Sequence, residues 1–472
     1  MRLLMAAAIA LAAVRQAPPR ANRAIDLLID DASVAPAEFA ADALIRIATS
    51  GQVADRGRRA ALLEEAFLRA YVAQLPYRRI TAGAPPDSRQ GAEVRAGETG
   101  LTRVSLQLRA VQALAPCAPE RARELFGWID LDLVPGSCGN ALVPSVDEYY
   151  ATLATLAKST FAANGGGRAA ALQFFELYLW RAQLPTEMPA VIRAMQRFQA
   201  NRDDAAYFES ILRMLLDSGA RDPRSFSVAS LDVVSRGFEL EDGHRQLALN
   251  AWFVTRVLRQ YLVAQLTGPR CADSATDAVM IDAFNRGVVR READKDGIDP
   301  LANADTRPSR TLAGARSDPY WQTMEAKRLY SDALQLRGAD RNPIPMERRR
   351  RQEWLDRAER LLFDLDAWSG SREPAERDYF YQKGIIFTLL VDLTPPGAVR
   401  TRVLRSFGEF LRRTDGDHVG RALWFAFANR LIERTKSEDR PLVLPLLEQS
   451  ANPILSLYGR MERVLSGDRV IE

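Results

Sequence analysis

The chain has 472 residues, of which 47% are hydrophobic, 26% charged and 8% aromatic, a composition that supports a packed core and excludes wholesale disorder. That length exceeds one compact helical bundle, so two or three packed units or one elongated stack are expected. Its 64 basic and 60 acidic residues leave a net charge of only +4; because the acids are interleaved with the arginines, no uncompensated face for phosphates results, and nucleic acid is not an expected partner.

Met1-Arg2 precedes an unbroken apolar stretch from Leu3 to Val14, after which Arg15, Gln16, Ala17 and Pro18 follow. This stretch is shorter than the roughly 20 residues a membrane-spanning helix needs, so residues 1–17 read as a cleaved secretory signal and the protein as exported, to the periplasm or beyond the cell. Cleavage after Ala12 would satisfy the small-residue preference at Ala10 and Ala12, whereas cleavage after Ala17 would place Arg15 where a small side chain is preferred. No later segment is long and apolar enough to span a bilayer, since Ile385–Val391 is bracketed by Lys383 and Asp392.

From Pro18 onward the apolar residues recur at three- and four-residue spacing without the alternation of strands, so the fold class is all-α. The first clear helix spans 36–51, with Pro36 at its start, Phe39, Leu44 and Ile47 along one side, and Gly51 past its end. A second is expected at 56–72. The stretch 74–97, with Pro85-Pro86 and several glycines, then breaks the pattern. Helices at 100–114 and 119–128 follow, and Ser145 with Glu148 three residues on reads as a capping box opening a helix that carries Tyr149, Leu153, Leu156 and Phe161.

Further helices are expected near 167–182, 187–199, 203–218, 226–236, 242–266 and 276–287, then 318–337, 346–368, 373–393, 396–413, 417–435, 439–449 and 452–466. The polar interval 288–317 separates an N-terminal helical domain, 18–287, from a C-terminal one, 318–472. Short connections imply antiparallel neighbours, so the helices are expected to stack as hairpins into an irregular α-solenoid, open or closed into a toroid. The pairs 326–368 and 379–413 have the size of tetratricopeptide hairpins, but that family's signature residues do not line up, so the likeness is one of architecture alone.

Cys117 and Cys138 lie in the turn-rich contexts Ala-Pro-Cys-Ala-Pro and Gly-Ser-Cys-Gly. They form the expected disulfide of an exported chain, closing a loop whose bridge would contribute about 3 kcal/mol. Three unpaired thiols, or a bridge from Cys271 to either, are the alternatives.

Chemistry is sparse. His244 and His418 are the only histidines, both beside carboxylates at helix starts, and neither has metal-binding spacing. The run Glu292 to Asp299 alternates acids before Gly297, but Asn303 stands where a calcium loop needs a bidentate glutamate, so it reads as a solvated turn and no metal is expected. Gly165-Gly166-Gly167 reads as a flexible hairpin turn, since no strand precedes it as in a phosphate loop. The run Glu347 to Glu353 holds four arginines but continues into Asp356 and Glu359, partners for a salt-bridged face. No serine elbow or nucleotide loop is present, and no cofactor is implied.

Paired carboxylates remain as the one catalytic route. Asp147 and Glu148 beside Tyr149 and Tyr150, and Glu176 beside Tyr178 and Trp180, would be the groups of a secreted α/α-toroid glycosidase or polysaccharide lyase. The same aromatics fall at core-packing spacing, so the preferred expectation is an exported helical repeat protein that binds or scaffolds a protein partner and has no catalytic centre.

Overall fold

The computed structural model describes residues 20–74, 79–80, 88–131, 143–162, 165–182, 187–198, 210–211, 213–216, 259–264, 266–267, 274–290, 300–301, 321, 323–337, 348–373 and 375–466. These residues are overwhelmingly helical, as the periodicity implies. In chain order the N-terminal part supplies α1 (Arg20–Ser33), α2 (Ala37–Thr49), α3 (Arg56–Tyr71), α4 (Arg89–Gly97), α5 (Arg103–Leu114), α6 (Pro119–Gly127), α7 (Asp147–Ser159), α8 (Gly165–Leu179) and α9 (Met188–Phe198). The later part supplies α10 (Ser274–Arg290), α11 (Met324–Arg337), α12 (Arg348–Ala367), α13 (Glu376–Leu393), α14 (Ala398–Arg413), α15 (Gly416–Val419), α16 (Arg421–Arg434), α17 (Arg440–Glu448) and α18 (Pro453–Leu465). The one described strand pairing is a two-residue antiparallel contact of β1 (Arg79–Ile80) with β2 (Val143–Pro144).

Several starts are fixed by side chains that satisfy the orphan amides of the first turn. Asp55 accepts from the Arg58 amide, Thr102 from that of Ser105, and Asn452 from those of Ile454 and Leu455 with Pro453 behind it. The expected capping box is not the device at α7: the helix begins at Asp147 with Val146 in the cap position, and the Glu148 carboxylate accepts a hydrogen bond from the Ser105 hydroxyl of α5 at 2.7 Å.

Two helices occur where none was expected. Helix α1 buries Ile25, Leu28 and Ala32, a stripe narrowed by flanking arginines and aspartates. Helix α4 contains two glycines and has Ser88 as its cap; packing against α16 stabilises it more than propensity does. Conversely, the helix expected at 417–435 divides into α15 and α16 at Gly420, whose φ of +94° no β-branched or bulky residue adopts without strain.

Packing neighbours recur at one and two positions along the series. Helix α3 packs on α2 and α5, α7 on α5, α8 and α9, α11 on α12 and α13, and α14 on α12, α13 and α16 and, three positions on, α17. In the later part the contacts are dense and aromatic: Phe380 stacks on Phe410 at 5.2 Å, Phe387 on Phe407 at 5.1 Å, and Phe427 meets Phe380 edge-on. Helices α13 and α16 approach so closely that a Cβ at Gly384 would lie 2.7 Å from the Phe427 ring.

The first and last described helices also meet. Helices α1 and α2 both pack on α18, and α4 packs on α16. Phe39 of α2 lies 4.9 Å from Phe425 of α16 and 6.4 Å from Tyr458 of α18, joining the three helices in one apolar cluster. The expected boundary at 288–317 lies outside the described residues apart from the end of α10 and residues 300–301, where the Leu301 amide donates to the Asn285 side chain at 2.7 Å. Among the described residues no helix is long and apolar enough to cross a membrane.

Candidate functional site

The junction of the chain ends places charge in the interior. On α2, Glu38, Asp42 and Arg46 follow one another at four-residue intervals and therefore share a face. That face is mostly buried: Glu38 is 3% and Asp42 1% exposed. An isolated buried carboxylate is costly, so each must find a partner. Asp42 has three. Arg46 meets it from the same helix at 2.8 Å, Arg109 reaches in from α5 at 2.6 Å, and the Tyr458 hydroxyl of α18 donates to it at 2.5 Å. Glu38 takes Arg421 at 3.0 Å, and Asp31 of α1 takes Arg460 at 3.0 Å.

Burial alone would raise the Asp42 carboxyl, but the charges of Arg46 and Arg109 and the Tyr458 hydrogen bond hold it below the usual carboxylate value. Tyr458 is driven well above the ordinary phenol value, first by burial and then by the Asp42 charge. Both directions fix the same state, an ionised carboxylate accepting from a neutral phenol. Neither group is a proton donor or acceptor near neutral pH, and the network has the character of a fixture.

Above that fixture opens a cavity of about 650 Å³ walled by α2, α5, α16, α17 and α18. Arg46, Arg109, Lys436 and Arg440 line it together with Glu433 and Glu462, and Thr49, Ser50, Asn429 and Ser466 add neutral polar groups. Glu462 is shared, 3.6 Å from Arg46 and 3.7 Å from Lys436. A second cavity of about 400 Å³ adjoins it, with Asn429 and Glu433 common to both, and continues between α4, α13 and α16 past Arg95, Thr99, Thr388 and Asp392. The two cavities, with Asn429 and Glu433 as a shared wall, lie in the polar groove between the N-terminal and C-terminal helices.

The carboxylates expected to carry glycan chemistry are engaged separately. Asp147 pairs with Arg193 of α9, Glu148 with Ser105, and Glu176 accepts from the Trp180 indole of its own helix at 3.0 Å. Tyr149, Tyr150 and Tyr178 are core: Tyr149 stacks on Phe126 at 4.8 Å, Tyr178 meets the same ring edge-on, and the Tyr150 hydroxyl donates to the buried Glu187 at 2.8 Å.

Gly165–Gly167 is already helical and forms the first turn of α8, a correction to the expected hairpin turn; a first turn tolerates poor helix formers because its amides make no intrahelical bonds. His418 is exposed, 4.0 Å from Glu376. Within the basic run, Arg350, Arg351 and Glu353 are exposed, and Gln352 donates to Asp356 at 2.8 Å, a solvated face. Cys117 is half-buried after α5. Its expected partner Cys138, together with Cys271, His244 and the Glu292–Asp299 run, falls outside the described residues. Among the described residues no group of three or more His, Cys, Asp or Glu side chains could hold a metal ion.

Sequence reasoning overlooked the residues of the groove. Asp42 carried a usable signal, a carboxylate inside the apolar run Phe39–Ile47 with an arginine four residues later, the mark of an ion pair forced inward. Nothing local could have nominated Arg109, Lys436 or Tyr458 as its neighbours. No protein-family model matches the chain, and no curated protein matches it in sequence, so the functional reading rests on this geometry.

Proposed function

We propose that the chain is an exported helical protein that acts by binding a partner protein in the groove between its first and last helices, without a catalytic centre of its own. The observation that carries this reading is the polar cavity over Asp42. It is roomy, open, lined by the basic side chains of Arg46, Arg109, Lys436 and Arg440, and built jointly by helices from early and late in the chain. A purely structural junction would close over its ion pairs and leave no such space.

In this reading the helices stack as hairpins, which the recurring contacts between neighbours one and two positions apart support, and the stack curves until its ends touch, which the α1–α18 and α2–α18 packing supports. A bridge between Cys117 and Cys138 belongs to the same picture of an exported chain. The glycan-cleaving alternative draws little support, because the carboxylates it would use are engaged with Arg193, Ser105 and Trp180.

Affinity capture from the exported fraction, run in parallel with wild-type protein and a Lys436→Glu variant, tests the reading. A protein retained by the wild type and lost with the variant supports binding at the groove. Identical retention by both, or retention of nothing, contradicts it. Mass analysis of the exported protein tests the signal, with an N-terminus after Ala12 or Ala17 as the expected result.

A further inference from the structure

We propose that the second cavity, between α4, α13 and α16, binds a small zwitterion of the α-amino acid type, its carboxylate on Arg95 and its ammonium on Glu98. This goes beyond the partner reading, which concerns the cavity over Asp42, and does not rest on it. The cavity volume of about 400 Å³ is that of a small-molecule site. The ligand class follows from which charges on its walls are already matched.

On α13 and α16 they are matched. Arg430 pairs with Asp392 and, at 3.1 Å, with Glu433; Asp392 also takes Arg434 at 2.8 Å, and Glu433 accepts from the Asn429 amide at 3.0 Å. The α4 wall differs. Arg95 and Glu98 both line the cavity, and among the described residues neither side chain has an ion-pair partner or a hydrogen bond. They stand three residues apart at the end of α4, a spacing at which opposite charges ordinarily pair, yet they do not pair with each other. An acid at the C-cap also faces the negative end of the helix dipole, where a cation is preferred, so Glu98 sits there against the interest of the helix.

Arg95 is held by other means. Its guanidinium lies over the ring of Phe427, a buried residue of α16, at 5.5 Å. Such a contact restrains the side chain without consuming its N–H donors, so the fork is partly immobilised before an acceptor arrives and remains free to take a carboxylate in two hydrogen bonds. Arg95 is half-buried and Glu98 exposed, which puts the ligand carboxylate deeper and the ammonium nearer the mouth. A simple anion or a simple cation would match one of the two and leave the other unmatched; a zwitterion matches both. Residues at this helical spacing have Cβ atoms about 5–6 Å apart, which suits charges borne close together rather than the two ends of a longer peptide. Thr388 of α13 and Asn429 of α16 line the same space and suit a neutral polar side chain on the ligand.

Isothermal titration calorimetry of the full chain with four probes tests this: L-glutamine, N-acetyl-L-glutamine, L-glutamine amide and triglycine. L-glutamine is expected to bind. The acetylated probe lacks the ammonium, the amide lacks the carboxylate and triglycine holds its charges far apart, so each is expected to bind at least about tenfold more weakly. Arg95→Gln and Glu98→Gln are each expected to weaken L-glutamine by a similar factor, and Glu98→Asp to retain it. Glu98 is exposed, so circular dichroism is expected to show unchanged helicity in its variants, and Lys436→Glu, on the wall of the other cavity, is expected to bind L-glutamine as the wild type does. No saturable heat from L-glutamine at millimolar concentration, equal binding of L-glutamine and either blocked probe, or indifference of L-glutamine to Glu98→Gln would overturn the proposal. Triglycine binding as tightly as L-glutamine would overturn the close spacing of charges and with it the amino-acid class.

Discussion

Two buried arginine–carboxylate sites, one within the C-terminal helices and one at the junction of the chain ends, use the same chemistry to different effect. Arg400 of α14 and Asp439 at the start of α17 are each about 93% removed from solvent, with side chains 7% exposed. Every nitrogen of Arg400 is engaged: it donates to both Asp439 oxygens at 2.6 to 3.0 Å, and to the Val391 and Thr394 carbonyls at 2.6 and 2.5 Å. The site ties the end of α13 to α14 and α17 and commits all three guanidinium nitrogens. At the junction, Asp42 is equally buried, but its arginines are 27% and 32% exposed and face a cavity. A buried ion pair that is complete is a strut, whereas one that leaves part of its guanidiniums facing open space can also receive a ligand.

The largest effect is expected where the strut is enclosed. Asp439→Ala strands the Arg400 charge without water to replace its partner and is expected to cost about 3–5 kcal/mol in denaturant unfolding. Asp42→Ala removes an equally buried acid, yet Arg46 and Arg109 can turn toward the cavity and regain water, so about 2–3 kcal/mol is expected. Equal losses at the two sites would erase the distinction between them.

A third prediction sharpens the comparison with a buried cation that has no carboxylate directly against it. Lys383 of α13 donates to the Trp368 carbonyl at 2.8 Å and to the Tyr379 hydroxyl at 2.9 Å, and burial pushes it down to about 8, only partly countered by Asp366. Between about pH 8 and its unfolded value of 10.5 the unfolded chain holds this proton and the folded chain does not, so stability rises with pH across that window. Tyr379, pushed up to about 12 by burial, acts in the opposite sense above pH 10. Unfolding at pH 7 and pH 10 should therefore show a rise of about 2–3 kcal/mol that Lys383→Met lacks. At the small end, Lys436→Glu is expected to change stability by no more than about 0.5 kcal/mol, because its ion pair is loose and exposed. A larger loss would mean that Lys436 is structural.

Helix existence was legible wherever caps and stripes agreed, as at α3 with Asp55 or α18 with Asn452 and Pro453, and boundaries there fall within a residue or two of expectation. It failed where tertiary packing overrides propensity. The Gly-containing α4 owes its helicity to α16, and α1 shows only a narrow stripe because arginines and aspartates crowd its other faces. The groove was illegible for a different reason. Asp42 and Tyr458 are 416 residues apart, and no periodicity or cap carries information about a contact at that separation. Carboxylates noticed for their local spacing, Glu148 and Glu176, proved to serve Ser105 and Trp180, whereas the acid that organises the site sat unremarked inside an apolar helix.

The contact between the two ends of the chain is tested most directly by a double-mutant cycle on Asp42→Ala and Tyr458→Phe, read by denaturant unfolding. If the Tyr458 hydroxyl donates to Asp42 across the junction, the two losses are non-additive, with a coupling of about 0.5–3 kcal/mol. Losses that add to within about 0.3–0.5 kcal/mol would mean that α2 and α18 do not meet at this pair, and the groove they wall would lose its floor.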